Sequence, residues 1–178
     1  MSTLTVKGIA APSGFNLAMP AGHIIQAVSI TKSDTWTYTG AGMQDVTGLA
    51  ATITPQFSSS KILVQININF SNTQRYSAAT LFRGSTQIGL GDVSDSRPRV
   101  SVCSGANQDE THNQYIMRNS SFSFLDSPST TSATTYKVQA GNTHESGSTT
   151  YVNRPQSSDN AAYIHRGIST ITLTEVAG

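Results

Sequence analysis

The ten residues KILVQININF, Lys61 to Phe70, form the most regular stretch of the chain. Apolar side chains alternate there with mainly polar ones, which is the period of a β-strand that buries one face. The buried face is predicted to consist of Ile62, Val64, Ile66, Ile68 and Phe70. The stretch therefore predicts a core strand whose other face, with Gln65, Asn67 and Asn69, is mostly polar.

Shorter stretches with the same period lie on both sides of this strand. HIIQAVSIT, at 23–31, places Ile24, Gln26, Val28 and Ile30 on one face, and STITLTEVAG closes the chain. In LDSPSTTSATTYKVQAG, at 125–141, turn residues pass into an alternating run, which predicts a loop leading into a strand at an edge of the sheet. The remaining predicted core residues are Ile24, Val28, Phe122, Phe124, Tyr136, Val138, Ile171 and Leu173.

The whole chain predicts an all-β protein. No window has sustained apolar spacing of three and four residues, so helix should be nearly absent. About ten short strands within one domain favour an antiparallel β-sandwich, jelly-roll-like in topology, with an up-and-down barrel as the alternative. We expect an extended N-terminal arm at 1–22, rich in small residues with two prolines, and a jelly-roll domain at 23–178.

Composition excludes several classes of function. Charged residues make up 12% of the chain and the formal net charge is +1, with scattered basic residues, so we expect no nucleic-acid partner. No segment has the length or hydrophobicity of a signal peptide or a membrane span, which predicts synthesis in the cytoplasm and no membrane insertion. The single cysteine, Cys103, is expected to be a buried thiol.

No motif for catalysis or metal binding stands out. The four histidines lack the spacing of a helical metal pair, and the Asp109-Glu110-His112 cluster is the kind that polar loops collect by chance. There is no G-x-S-x-G elbow and no identifiable pair of carboxylates. We therefore expect no catalytic residues, no metal, no cofactor and no enzyme activity.

Two aromatic side chains suggest a ligand site as an alternative to a core role. Trp36 and Tyr38 lie on one face of a predicted short strand, where they either fill the core or form a stacking platform. The candidate ligand-binding residues are Trp36, Tyr38, Arg97, Arg99, Asn107 and His144.

Several segments resemble one family. SSSKILVQININF, LFRGSTQIGLGD, LDSPSTTSATTYKVQAG and STITLTEVAG are similar, in that order, to recurrent segments of virion structural proteins of tailed phages, especially those of cyanobacteria and other marine bacteria. The resemblance runs from His23 to Gly178 and implies a fibre-like or capsid-associated virion component, made in the bacterial host cytoplasm.

The resemblance also suggests a role for the arm. MSTLTVKGIAAPSGFN looks like the short leaders of this group, which implies an attachment segment. The predicted particle-attachment residues are Leu4, Val6, Ile9, Phe15 and Leu17.

Three hypotheses follow, in order of support. The first is a non-enzymatic capsid decoration or head-fibre protein, anchored by its arm to other virion proteins and trimeric by analogy with β-sandwich virion proteins. The second is a receptor- or glycan-binding tip of a tail fibre that contacts a host surface glycan. The third, a polysaccharide depolymerase, has the least support.

Overall fold

The computed structural model describes residues 20–74, 76–105, 113–143 and 146–178. Within these residues the helical content is one 3-10 turn, Asn113–Tyr115. The strands are β1 (Ile24–Lys32), β2 (Trp36–Thr39), β3 (Gly42–Ile53), β4 (Lys61–Asn72), β5 (Tyr76–Arg83), β6 (Thr86–Ile88), β7 (Val102–Gly105), β8 (Arg118–Asp126), β9 (Thr134–Asn142), β10 (Thr149–Val152) and β11 (Ser169–Val176).

The strands form two antiparallel sheets of four rows each. Three rows consist of two short strands placed end to end, namely β1 with β2, β6 with β7 and β11 with β10. Sheet A has the order β1/β2, β11/β10, β4, β8, and sheet B has the order β3, β9, β5, β6/β7. Counted along the chain, sheet A holds rows 1, 8, 3 and 6 and sheet B holds rows 2, 7, 4 and 5. This is jelly-roll order, so the predicted sandwich is confirmed and the barrel alternative is wrong.

The core lies between the two sheets. As predicted, the even-numbered residues of β4 from Ile62 to Phe70 are buried, opposite Tyr136 and Val138 of β9. Val28, Phe122 and Phe124 are half-buried and pack against this core. The prediction for Ile24 was wrong, because a β-bulge between Ile24 and Gln26 shifts the register and leaves Ile24 63% exposed.

Two further expectations need correction. Strand β9 lies between β3 and β5 inside sheet B, so TTYKVQAG is not an edge strand. Cys103 is exposed rather than buried. In β7 the two-residue period turns Val102 toward the core, where it packs, and therefore turns its neighbour outward.

Asn153 holds together the two interrupted rows of sheet A. It is fully buried with a φ of 62°, a left-handed conformation that asparagine tolerates better than most residues. Its side-chain Nδ2 donates to the carbonyls of Lys32 (2.8 Å) and Asp34 (3.0 Å), where the first row breaks. Its Oδ1 accepts from the Ser169 hydroxyl at 2.7 Å. Gly167 N donates to the Asn153 carbonyl, which closes the base of the loop between β10 and β11.

One polar contact joins the two sheets at one end of the sandwich. Asp126, the last residue of β8, accepts two hydrogen bonds of 2.9 Å from Arg83 Nη1 of β5. The Tyr136 hydroxyl of β9 donates to Asp126 Oδ2 at 2.7 Å. Burial, followed by this hydrogen bond, raises the pKa of Tyr136 above its usual range, so the hydroxyl keeps its proton and remains a donor.

Candidate interaction surface

Apolar side chains gather at one end of the outer face of sheet A, and we call this group the corner patch: Ile24, Leu63, Leu125 and Val176. Ile24 pairs with Val176 across β1 and β11, and Leu63 pairs with Leu125 across β4 and β8. Leu125 is 49% exposed, whereas Leu63 and Val176 are half-buried. The two pairs lie on neighbouring outward rungs that they share with Thr174, which pairs with Leu63, and Lys61, which pairs with Val176. Exposed apolar side chains grouped on an outer face are typical of a contact surface for another protein.

Both ends of the domain meet beside the corner patch. Gly22 N donates to the Ala177 carbonyl at 2.8 Å, and Ala177 N donates to the His23 carbonyl at 2.8 Å. Gly22 has a φ of 84°, which favours glycine, so the chain turns sharply there before it enters β1. Residues 1–19 therefore join the domain next to Ile24.

Glu175 is a buried residue of β11 that lies next to the corner patch. Its fully buried carboxylate accepts from Gln26 Nε2 at 2.6 Å and from the backbone N–H of Gln56 at 2.7 Å. Burial alone raises the pKa of Glu175, but the hydrogen bonds, led by that of Gln26, outweigh it and leave the pKa below its usual value. The charged carboxylate thereby ties β1 and the β3–β4 loop to β11.

The predicted ligand-binding residues are divided between two edges of the sandwich. Trp36 and Tyr38 lie on β2 with ring centroids 6.2 Å apart, and both are half-buried. Trp36 packs against the core, and the Tyr38 hydroxyl donates to the Ala41 carbonyl at 3.0 Å. Arg97 and Arg99 lie in the β6–β7 loop.

These two groups do not form one described site. The row of β1 and β2 borders β3, whereas β7 borders β8 on the opposite side of the sandwich. Arg97 contacts Ser94, and Arg99 donates to the Gly91 carbonyl at 2.6 Å, both within their own loop. Asn107, His144 and the arm residues Leu4, Val6, Ile9, Phe15 and Leu17 lie outside the described residues. A ligand role for this set stays a prediction.

An exposed aromatic side chain that we did not single out in the sequence lies in the β10–β11 loop. Tyr163 is 59% exposed and meets the Tyr115 ring edge to face, with centroids 5.5 Å apart. Ser157 N donates to the Gln114 carbonyl, so the two loops support each other. Neither loop has strand periodicity, so this contact could not be expected from the local sequence pattern.

Among the described ranges, no group of three or more His, Cys, Asp or Glu side chains is arranged to hold a metal ion. In the same part of the chain, helices long and apolar enough to cross a bilayer are absent.

No protein-family model and no curated protein matches the chain. Among solved structures, it is similar to "Structure of infectious bursal disease virus Gx strain", with 12% identity and a TM-score of 0.40 over 97% of this chain and 43% of that one. It is also similar to "Crystal structure of infectious bursal disease virus VP2 subviral particle", with 13% identity and a TM-score of 0.41 over 96% and 46%. The chain spans less than half the length of either, and at these TM-scores the jelly-roll assignment depends on strand order alone.

Proposed function

We propose that this chain is a non-enzymatic structural protein of the bacteriophage virion exterior, a trimeric capsid decoration or head-fibre protein anchored by its N-terminal arm. The observation that supports it best is the corner patch. Its exposed apolar side chains lie beside the point where the described chain enters β1, and burying them against another virion protein is favourable by roughly 25 cal/mol per Å². The predicted attachment residues precede this patch in the chain and are also apolar: Leu4, Val6, Ile9, Phe15 and Leu17.

The mechanism is attachment through buried area. An arm that packs on a partner adds contacts at an entropic cost, and the corner patch adds contacts from a sheet surface at a smaller cost. Three linked copies multiply modest contacts into avidity, because each later contact forms within one assembly.

The test is incorporation into particles. Deleting residues 1–20 is expected to leave the melting temperature of the domain nearly unchanged and to abolish incorporation. Leu125→Ser is expected to weaken incorporation, whereas Val93→Ser, at a 75% exposed position of the β6–β7 loop outside the patch, serves as the matched control. Undiminished incorporation of the truncated chain would refute the arm as anchor, and a monomer at micromolar concentration in light scattering would refute the trimer.

A second candidate, a receptor-binding tip of a tail fibre, is favoured by one observation. Tyr163 presents an exposed ring on a loop braced by Tyr115, which is the kind of group that anchors a host receptor or glycan. Electron microscopy of particles with labelled antibody separates the candidates. Label over the head supports decoration, and label confined to the tail supports the fibre tip.

A further inference from the structure

The outer face of sheet A holds a shallow groove next to the corner patch. It has a volume of about 510 Å³ and crosses β8, β4 and β11. Two neighbouring rungs form its floor, Ser123, Gln65 and Thr172 in one and Ser121, Asn67 and Thr170 in the other. No residue that lines the groove has an ionisable side chain. The polar back predicted for KILVQININF is the centre of this floor.

Two side chains of the floor form hydrogen bonds within the described part of the protein, and the other four do not. Asn67 Oδ1 accepts from Asn119 Nδ2 at 2.6 Å, and the hydroxyl of Thr172 is 2.8 Å from that of Ser29. Within the described residues, the other four side chains have no hydrogen-bond partner in the protein: Gln65, Ser121, Ser123 and Thr170. Rigid strands thus present one amide and three hydroxyls toward solvent.

The side-chain chemistry of the groove indicates which class of ligand it can bind. Binding of nucleic acid or another polyanion needs Lys or Arg side chains, which the lining lacks. Ser and Thr, which dominate the lining, rarely contribute much binding energy to protein interfaces. Hydroxyl and amide groups both donate and accept hydrogen bonds. They therefore match the hydroxyl groups of an uncharged sugar.

We propose that this groove binds a short segment of a neutral oligosaccharide, with Gln65, Ser121, Ser123 and Thr170 as the groups that contact it. The volume lies within the range of small-ligand sites, roughly 300–1,000 Å³. Asn67 and Thr172 are held in place by their hydrogen bonds to Asn119 and Ser29. The site is formed within one chain and depends on neither the arm nor the oligomeric state.

The experiment uses the full chain on an array of neutral oligosaccharides of glucose, galactose, mannose and N-acetylhexosamines, beside sialylated and sulfated versions. We expect binding to at least one neutral glycan. Gln65→Ala and the double variant Ser121→Ala with Ser123→Ala should each weaken it at least fivefold, with unchanged melting temperatures. Gln44→Ala, an equally exposed strand glutamine on sheet B, is the matched control and should bind like the unmodified chain.

Three outcomes would overturn the proposal: no binding to any neutral glycan, binding to charged glycans alone, or equal loss with Gln44→Ala and Gln65→Ala. Because the glycan array does not involve particle incorporation, its failure leaves the attachment function standing, and a failed incorporation test leaves the groove standing.

Discussion

The central strands β4 and β5 occupy equivalent places in the two sheets, yet their outward faces differ. On β4 the outward side chains of Gln65 and Asn67 are exposed, whereas on β5 those of Ala78, Thr80 and Phe82 are buried. Lys137 of the neighbouring strand lies over the Phe82 ring, 5.8 Å from its centroid. Sheet A therefore keeps an open face that can bind, whereas the centre of sheet B is packed on both faces.

A charge placed on each of the two faces of β4 should have very different effects on stability. Ile66→Asp buries an unpaired carboxylate in the core and should cost more than about 4 kcal/mol, enough to unfold the domain. Asn67→Asp places the same side chain one residue along, on the open face, and should change stability by less than about 0.5 kcal/mol. Urea denaturation measures both, and similar losses would show that the outer face is not open.

A second substitution tests whether the two sheets form one cooperative unit. Arg83→Ala removes the cationic partner of mostly buried Asp126 and should cost about 3 kcal/mol. Tyr136→Phe removes one hydrogen bond and should cost about 1 kcal/mol. For both variants, denaturation curves recorded by circular dichroism and by Trp36 fluorescence should coincide in a single transition. Two separate transitions would mean that the sheets unfold independently.

A third substitution concerns the corner of sheet A beneath the patch. Glu175→Gln removes a charged acceptor and should cost about 2 kcal/mol at pH 7. Because the folded state lowers the pKa of Glu175 below its ordinary 4.5, its stabilisation is complete above that value and is lost as pH falls through the folded pKa. The stability gap between the two proteins should therefore shrink as the pH falls below 4.5. A gap that is constant from pH 7 to pH 3 would contradict this role.

The smallest expected effect concerns a buried hydroxyl group in sheet B. The hydroxyl of Thr80 is buried and, among the described residues, has no hydrogen-bond partner. Thr80→Val removes that cost and should stabilise the domain by about 1 kcal/mol. Thr170→Val, at an open position of sheet A, is the control and should have little effect on the melting temperature. Destabilisation by Thr80→Val would show that the hydroxyl has a partner.

Much of the fold could be predicted because strand alternation records which face is buried. KILVQININF gave the correct inward set, since one face of β4 is open to solvent. YSAATLF does not alternate, because β5 is packed on both sides, and no inward set could be assigned from it. The bulge that turns Ile24 outward depends on pairing with β11, from the other end of the chain, so local sequence contains no sign of it.

The candidate surfaces were harder to predict. The polar residues of β4 were visible in the sequence, but the groove also needs Ser121 and Thr170, which only sheet pairing brings beside them. Likewise, Leu125 and Ile24 are distant in sequence and become one patch through β4 and β11. Trp36 and Tyr38 stood out because aromatic side chains on one face of a strand can form a stacking platform, but the same pattern is produced by aromatic residues that pack against the core.

The Asn153 junction suggests an engineering use. The two ends of the β10–β11 loop are close together, because Gly167 N donates a hydrogen bond to the Asn153 carbonyl. The strands on either side of the loop, β10 and β11, form one row along β4. Loops with closely spaced ends tolerate insertions at small entropic cost. A foreign peptide epitope grafted between Asp159 and Tyr163 would therefore be displayed on a constant scaffold, with the jelly-roll topology unchanged.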